Sequence, residues 1–252
     1  MITAVSITTR NRPDLLDFCL KHFKHYKIEN ELDIVVSDDS SSEDNHLKNK
    51  EICDNHGVAY LYSEARLGIA KNKNRSIDYL KTKGFDYLFL FDDDCWPRKD
   101  NWDKCFIYLV DKNNIQHSMH LVEAGEVKVI KATEDYRVFR NCGGFCLFFT
   151  KEAILDLGGM NPNFGIYGFE HCELTRRAAR RGFTNNIAEY IAPNTSGEYI
   201  YSLDMDGGWL HQVTELGPFT ARFYSSMEDE RHVIAEYIEE NRKVFETTGK
   251  DT

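Results

Sequence analysis

Hydrophobic positions in the first hundred residues alternate between two rhythms. Ile2 to Thr8 is short and β-branched, and predicts a strand. After the polar turn Thr9-Arg10-Asn11-Arg12-Pro13, residues Leu15, Leu16, Cys19, Leu20, Phe23 and Tyr26 recur at helical spacing, with Pro13 where a helix would begin. Leu32 to Val36 predicts a second strand that ends in Ser37-Asp38-Asp39-Ser40-Ser41-Ser42. A polar, less regular helix is expected over Glu43 to Asn55, broken by Gly57. Val58 to Tyr62 is a third strand candidate. Leu67-Gly68-Ile69-Ala70 opens a helix to about Lys83, closed by Gly84. Tyr87-Leu88-Phe89-Leu90-Phe91 then runs without interruption into Asp92-Asp93-Asp94, with Pro97 as the stop. A continuous apolar run of this kind reads as a strand covered on both faces of a parallel sheet.

Strand and helix alternate repeatedly, which implies right-handed crossovers and a mainly parallel sheet. Such sheets bind ligands outside the carboxyl ends of their strands. The polar clusters Thr8 to Arg12, Asp38 to Ser42, Arg66 to Asn74 and Asp92 to Asp94 all fall at those ends. In extended geometry Asp92 and Asp94 share one side while Asp93 points away. Two same-side carboxylates repel unless a cation lies between them, and oxygen-only ligands suit Mg²⁺ or Mn²⁺. A solvated acidic turn is the bland alternative.

The second half is less regular. A helix is expected over Trp102 to Val110, and short strands over His117 to Glu123 and Glu126 to Lys131. Val138 to Thr150 is an apolar strand candidate entered through Gly143 and Gly144, which permit a bulge or close approach to a ligand. The glycine-rich stretch Leu157 to Gly168 opens a helix over Phe169 to Arg181, with Glu170, His171 and Glu173 in its first turn. Acidic residues there also simply suit the helix dipole. Arg176, Arg177, Arg180 and Arg181 read as a solvated face, with an anionic acceptor as the sharper alternative. A strand is expected over Asn185 to Ala192. The polar segment Pro193 to Pro218, holding Trp209 and His211, is expected to act as a lid. A C-terminal helix presents Val233, Ile234, Tyr237, Ile238, Val244 and Phe245 on one face and should dock on the domain. One domain is therefore expected over 1–252, in two parts (1–100 and 101–218) followed by the C-terminal helix (219–252).

Composition narrows the class. The 252 residues are 42% hydrophobic and 13% aromatic, those of a globular chain, and the formal net charge of -10 argues against a general binder of nucleic acid or anionic membrane. No stretch approaches the ~20 apolar residues of a membrane span, and the opening residues read as a strand rather than a signal peptide. The seven cysteines form no Cys-x-x-Cys pair; Cys142 and Cys146 are four apart without a second pair. A reduced, cytoplasmic chain without structural zinc is expected.

Five pieces in order resemble the GT-A glycosyltransferases, in particular the family 2-like inverting enzymes, over roughly residues 2 to 182. They are Ser6 to Pro13, Val35 to Ser42, Gly68 to Asn74, Asp92-x-Asp94, and Gly158-Gly159-Met160-Asn161 through Gly168-Phe169-Glu170-His171. The last resembles the acceptor-side loop and helix of galactosyl- and N-acetylgalactosaminyl-transferases. The resemblance implies an α/β GT-A fold, a nucleotide-binding sheet flanked by helices with a smaller acceptor-side mixed sheet, with 1–100 as the nucleotide-sugar half and 101–218 as the acceptor and catalytic half. It implies metal-dependent transfer of a sugar from a nucleoside diphosphate sugar, expected to be a UDP-sugar, to a hydroxyl of a saccharide, protein or other acceptor, with inversion. Thr8, Arg10 and Asp38 or Asp39 would hold base and ribose, and Lys71, Lys73 and Asn74 would lie near the donor. Asp92 and Asp94 would hold ribose and metal–diphosphate. Arg12, Gly68, Asp93, Gly143, Gly144 and Trp209 complete the donor-side candidates. A third metal ligand would follow the acceptor helix, and His211 is the only histidine between His171 and His232.

The chain departs from the family where Glu-Asp is usual and Glu170-His171 stands. A histidine titrating near ~6.5 can serve as base at neutral pH, or the role passes to Glu170 or Glu173. Two rival functions stay open at this level. A sugar-nucleotide nucleotidyltransferase would want a glycine-rich phosphate loop after the first strand, which Thr8 to Arg12 lacks. A nucleotide-sugar binding protein without turnover is the other.

Overall fold

The computed structural model describes residues 1–123, 127–140, 142–203 and 238–248. β1 (Ile2–Thr9), α1 (Pro13–His25), β2 (Glu31–Asp39), α2 (Glu43–His56), β3 (Ala59–Ser63), α3 (Ile69–Lys83) and β4 (Tyr87–Asp92) alternate as expected. β5 (Cys95–Pro97), α4 (Lys104–Asn113), β6 (His117–Met119), β7 (Val129–Ala132), β8 (Tyr136–Phe139), β9 (Cys146–Thr150) and α5 (Lys151–Leu157) follow. α6 (Glu170–Arg180), β10 (Tyr190–Pro193), α7 (Ser196–Tyr199) and β11 (Ile200–Ser202) come next, and 238–248 is helical.

The main sheet has the order β3-β2-β1-β4-β9-β6, with β1 to β4 parallel and β9 antiparallel to both β4 and β6. β10-β8-β7 form a small antiparallel sheet, and β11 pairs with β5. β4 sits centrally because its run is apolar on both faces. Leu88, Phe89, Leu90 and Phe91 are fully buried. Phe89 meets Trp102, Phe106 and Phe148 at ring distances of 4.9, 5.2 and 5.0 Å, and Phe91 meets Phe23 at 5.1 Å. Tilted and edge-on contacts of this kind add to the area buried.

Several boundaries differ from expectation. β4 ends at Asp92, and Asp93-Asp94 form a turn, so Pro97 closes β5 and not β4. β2 continues through Asp38 and Asp39, which sequence alone assigned to a turn. The single strand expected over Val138 to Thr150 is two strands in different sheets. α5 was not expected, although the Thr150 side chain caps it by accepting from the Ala153 amide at 3.2 Å. α2 buries only Asn49 and Cys53, which explains its weak periodicity. No described helix is long and apolar enough to cross a membrane.

Of the expected C-terminal helix, 238–248 is described and docks on the α6 entry; Val233, Ile234 and Tyr237 lie outside the described residues. Asn241 donates to the Tyr167 and Gly168 carbonyls at 2.8 and 3.0 Å and accepts from the Gly165 amide at 2.8 Å. Phe245 stacks on Phe169, and Arg176 lies over Phe245.

Candidate active site

The chain runs β1, β2, β3 outward and then returns to place β4 on the free side of β1. The carboxyl ends of β1 and β4 therefore flank the point where strand order reverses, the standard crevice for ligands in open α/β sheets. The register brings Thr8 level with Asp92 and Ser37, and Thr9 level with Asp38.

Charges at this crevice are paired within the chain. Lys73 reaches up from α3, only 1% exposed, and its Nζ lies 2.6 Å from Asp92 Oδ1. The Thr8 hydroxyl donates to the same oxygen at 3.0 Å. Arg12, from the loop after β1, bridges the next two carboxylates, with Nη2 2.5 Å from Asp93 Oδ1 and Nη1 3.1 Å from Asp94 Oδ2. Thr9 donates to Asp93 Oδ2 at 2.6 Å. The expected grouping was Asp92 with Asp94; the turn after Asp92 instead lets one guanidinium clamp Asp93 and Asp94 together. Burial disfavours the Arg12 charge, but Asp93, Asp94 and Asp92 outweigh it and hold the guanidinium firmly protonated. Burial pushes Asp93 up to about 7 against the pull of Arg12, and raises Asp94 as well. Asp94 Oδ1 is buried and has no hydrogen-bond partner.

Other candidates serve the scaffold around the crevice. Asp38 is fully buried and accepts from the Ser41 amide, Asn49 Nδ2 and the Tyr60 hydroxyl at 3.0, 2.8 and 2.7 Å. Asp39 accepts from the Leu67 and Gly68 amides at 2.6 and 3.0 Å and so shapes the entry to α3. Gly68 has φ 81°, and a Cβ there would lie 2.5 Å from the Gly165 carbonyl oxygen; its role is close packing of α3 on the glycine-rich loop. Asn74 is tied at both ends of its amide to Met160, accepting from N and donating to O at 2.8 Å each. Arg10 is half-buried at the end of β1, and Lys71 is exposed on the first turn of α3.

The acceptor-side pieces meet this crevice through the loop before β9. The Asp92 amide donates to the Phe145 carbonyl at 3.0 Å. One residue earlier, a Cβ on Gly144 would come within 2.8 Å of His171 Nδ1, so the backbone passes directly beside the imidazole. Gly143 donates its amide to Met119 Sδ at 3.5 Å. The first turn of α6 thus rests on the segment that holds Asp92. Glu170 is 2% exposed, with Oε1 3.0 Å from His171 Nδ1, while Oε2 is buried without a partner. Burial disfavours the His171 imidazolium, yet Cys172 and Glu170 overcome this and hold the ring well above its usual pKa. Glu173 gives both oxygens to Arg177, at 2.9 and 3.0 Å, and Arg177 also grips the Leu157 and Gly159 carbonyls. It braces the glycine-rich loop.

One grouping escaped the sequence entirely. Cys142, His171 and Cys172 bring two sulfurs and a ring nitrogen within 4.8 Å of one another. Trp209 and His211 lie outside the described residues, as does 204–218 of the expected lid, whose described part instead forms α7 and β11.

Residues 4–152, more than half of the chain, match the family model of glycosyl transferase family 2. No curated protein matches the chain. Among solved structures it is similar to the mannosyltransferase PcManGT from Pyrobaculum calidifontis in complex with GDP-Man and Mn²⁺, with TM-score 0.55, 16% identity, 72% of this chain and 53% of that one. It is similar to GalNAc-T7 with UDP, GalNAc and Mn²⁺, with TM-score 0.60, 18% identity, 76% of this chain and 42% of that one. It is also similar to S. aureus TarS 1-349 in complex with UDP, with TM-score 0.54, 16% identity, and coverage of 71% and 55%. The likeness spans about half of these longer chains. At these identities it establishes the fold, a mostly parallel sheet flanked by helices with a small antiparallel sheet beside it.

Proposed function

Because the chain belongs to glycosyl transferase family 2, we propose that it moves a sugar from a UDP-sugar to a hydroxyl acceptor, with a divalent cation and with inversion. The observation that carries the reading is Asp94: a buried carboxylate with Oδ1 unpartnered, beside Asp92, at the crevice where the strand order reverses. An orphaned, buried anionic oxygen of this kind fits a cation, and all-oxygen ligands fit Mn²⁺ or Mg²⁺. The Mn²⁺ named with PcManGT and GalNAc-T7 supports the same reading.

Asp94 would hold the cation, with Asp92 assisting. Such an ion neutralises charge that develops on a diphosphate leaving group. The remaining work falls to the chain's own side chains. Lys73 and Thr8 fix the Asp92 carboxylate, and Arg12 fixes Asp94, so both are oriented before substrate arrives. Thr8, Arg10 and Asp39 would line the nucleotide side, and the exposed Lys71 would reach the donor from the first turn of α3. On the acceptor side we assign Glu170 as the base. Its Oε2 lacks a partner, and Oε1 is oriented by His171. His171, whose Nδ1 lies 3.0 Å from Glu170 Oε1, acts as the positioning group. In a single displacement the acceptor oxygen bonds to the anomeric carbon, the bond from that carbon to the diphosphate oxygen breaks, and the hydroxyl proton passes to Glu170 Oε2. The free thiols of all seven cysteines suit a reducing cytoplasm.

The test is a panel of UDP-GlcNAc, UDP-GalNAc, UDP-Gal and GDP-Man with Mn²⁺ or Mg²⁺, following release of the nucleoside diphosphate. Metal-dependent release from a UDP-sugar is expected, with inverted anomeric configuration by NMR once an acceptor is found. Absence of both binding and release across the panel contradicts the proposal.

A further inference from the structure

The proposed transfer makes no use of the two thiols beside His171. Cys142 comes from the coil between β8 and β9, while His171 and Cys172 come from the first turn of α6. Segments almost thirty residues apart thus converge on one point, and their three donor atoms lie within 4.8 Å of one another. Tetrahedral zinc with Zn–S near ~2.3 Å needs ligand sulfurs roughly 3.8 Å apart, well inside that span. All three residues are half-buried, so an ion could reach them and yet be largely shielded once bound.

We propose that Cys142, His171 and Cys172 form a site for a thiophilic divalent cation, Zn²⁺ by the chemistry of its donors, separate from the carboxylate site at Asp92 and Asp94. Two sulfurs and an imidazole are soft to borderline ligands; they favour Zn²⁺ over Mg²⁺ and Mn²⁺, which take oxygen. Glu170 supplies the second observation. Its Oε1 lies 3.0 Å from His171 Nδ1, the carboxylate–histidine pairing that orients a metal-bound imidazole and leaves Nε2 for the ion. Gly144 leaves room for that ring, since any side chain there would collide with it. On binding, each ligating thiol gives up its proton to water, the His171 ring gives up its Nε2 proton so that this nitrogen can ligate, and the fourth position is left to solvent. The ion would cross-link the loop before β9 to the start of α6. It would thereby lock Glu170 relative to Phe145, whose carbonyl holds the Asp92 amide. This site stands on the cluster alone and holds whichever sugar the chain transfers.

The experiment is metal analysis of the full chain, purified without chelator and dialysed against Mg²⁺ buffer, by inductively coupled plasma mass spectrometry. One zinc per chain is expected in the wild type and in Cys105→Ser, whose cysteine is outside the cluster. Cys142→Ser and Cys172→Ser should lose most of it. Chelator-stripped wild type given Co²⁺ should show thiolate-to-metal charge-transfer absorption, which both cluster variants lack. The wild-type measurements decide the matter even if a variant folds poorly. Failure of the wild type to take up zinc or cobalt overturns the proposal. So does uptake that survives both cysteine substitutions, or an intact mass two hydrogens light that marks a Cys142–Cys172 disulfide. UDP binding, measured separately, is untouched by that failure.

Discussion

Replacing Arg12 with Met removes one cation from between two buried carboxylates at nearly constant volume. Arg12 contacts Asp93 at 2.5 Å and Asp94 at 3.1 Å, and the side-chain exposures are 25% for Arg12, 0% for Asp93 and 8% for Asp94. At an effective dielectric near 20, each contact is worth up to about 4 kcal/mol before desolvation. Deleting one partner of a buried pair costs roughly 3–5 kcal/mol, because the survivor is left charged in a poor solvent. The variant can relieve this by taking up a proton. Asp93 already sits up at about 7 through burial, and loss of Arg12 raises it and Asp94 further. A carboxyl raised in the folded state binds more protons there than in the unfolded chain, so stability rises as pH falls. Wild-type Asp93 takes up its own proton near 7, so the variant's extra proton counts chiefly between pH ~8 and ~7, at about 1.4 kcal/mol per pH unit. Urea unfolding in Mg²⁺- and Mn²⁺-free buffer should therefore show Arg12→Met destabilised by about 3–5 kcal/mol near pH 8, and by roughly 1–2 kcal/mol less near pH 5.5. Titrating histidines are common to both proteins and cancel in the difference. An equal loss at both pH values, or no loss at all, would refute the clamp.

Glu170→Gln should keep its melting temperature and lose roughly 10²-fold or more in turnover, the usual scale for a general base; a destabilised but active variant would make Glu170 a helix-start residue only. Asn74→Ala leaves the Met160 amide without its partner and should cost about 1–3 kcal/mol in urea unfolding. Calorimetry should meanwhile find UDP affinity within about twofold of wild type, since Asn74 braces a loop; a selective loss of UDP binding would return it to the donor site. His117 is buried between the Phe148 carbonyl and Thr175, and burial lowers it to about 4. A histidine lowered in the fold binds fewer protons there than when unfolded, so stability falls as pH drops from about 6.5 towards 4, by up to about 3 kcal/mol from this residue. Unfolding of His117→Gln should show a shallower acid slope, and an unchanged slope would contradict the assignment.

The alternating first half was legible because β1, β2 and β4 bury most of both faces and α1 and α3 bury one. Tyr87 to Phe91 announced a central strand, and the four polar clusters at strand ends marked the crevice. What stayed hidden depends on contacts between distant segments. Asp38 and Asp39 look like turn residues until Asn49, Tyr60 and the Leu67 and Gly68 amides satisfy them inside a longer strand. Asn74 looks like a donor contact until Met160 is seen against both ends of its amide. Arg12 gave no sign of clamping Asp93 to Asp94, because the turn that breaks the period-two pattern follows from β5 pairing with β11. The Cys142–His171–Cys172 grouping has no local spacing to betray it. α5 was the one readable miss: Thr150 followed by Ala153, Ile154 and Leu157 is a capped, one-sided helix pattern.

The most direct test of the central claim is calorimetry of UDP with and without Mn²⁺ on the wild type and on Asp94→Asn. The account predicts binding that strengthens at least about tenfold with Mn²⁺ in the wild type, a difference of about 1.4 kcal/mol. That gain should vanish in a variant whose melting temperature is unchanged or raised, since the substitution removes a buried charge. Equal UDP affinity with and without Mn²⁺ in the wild type, or an undiminished Mn²⁺ effect in Asp94→Asn, would contradict the account.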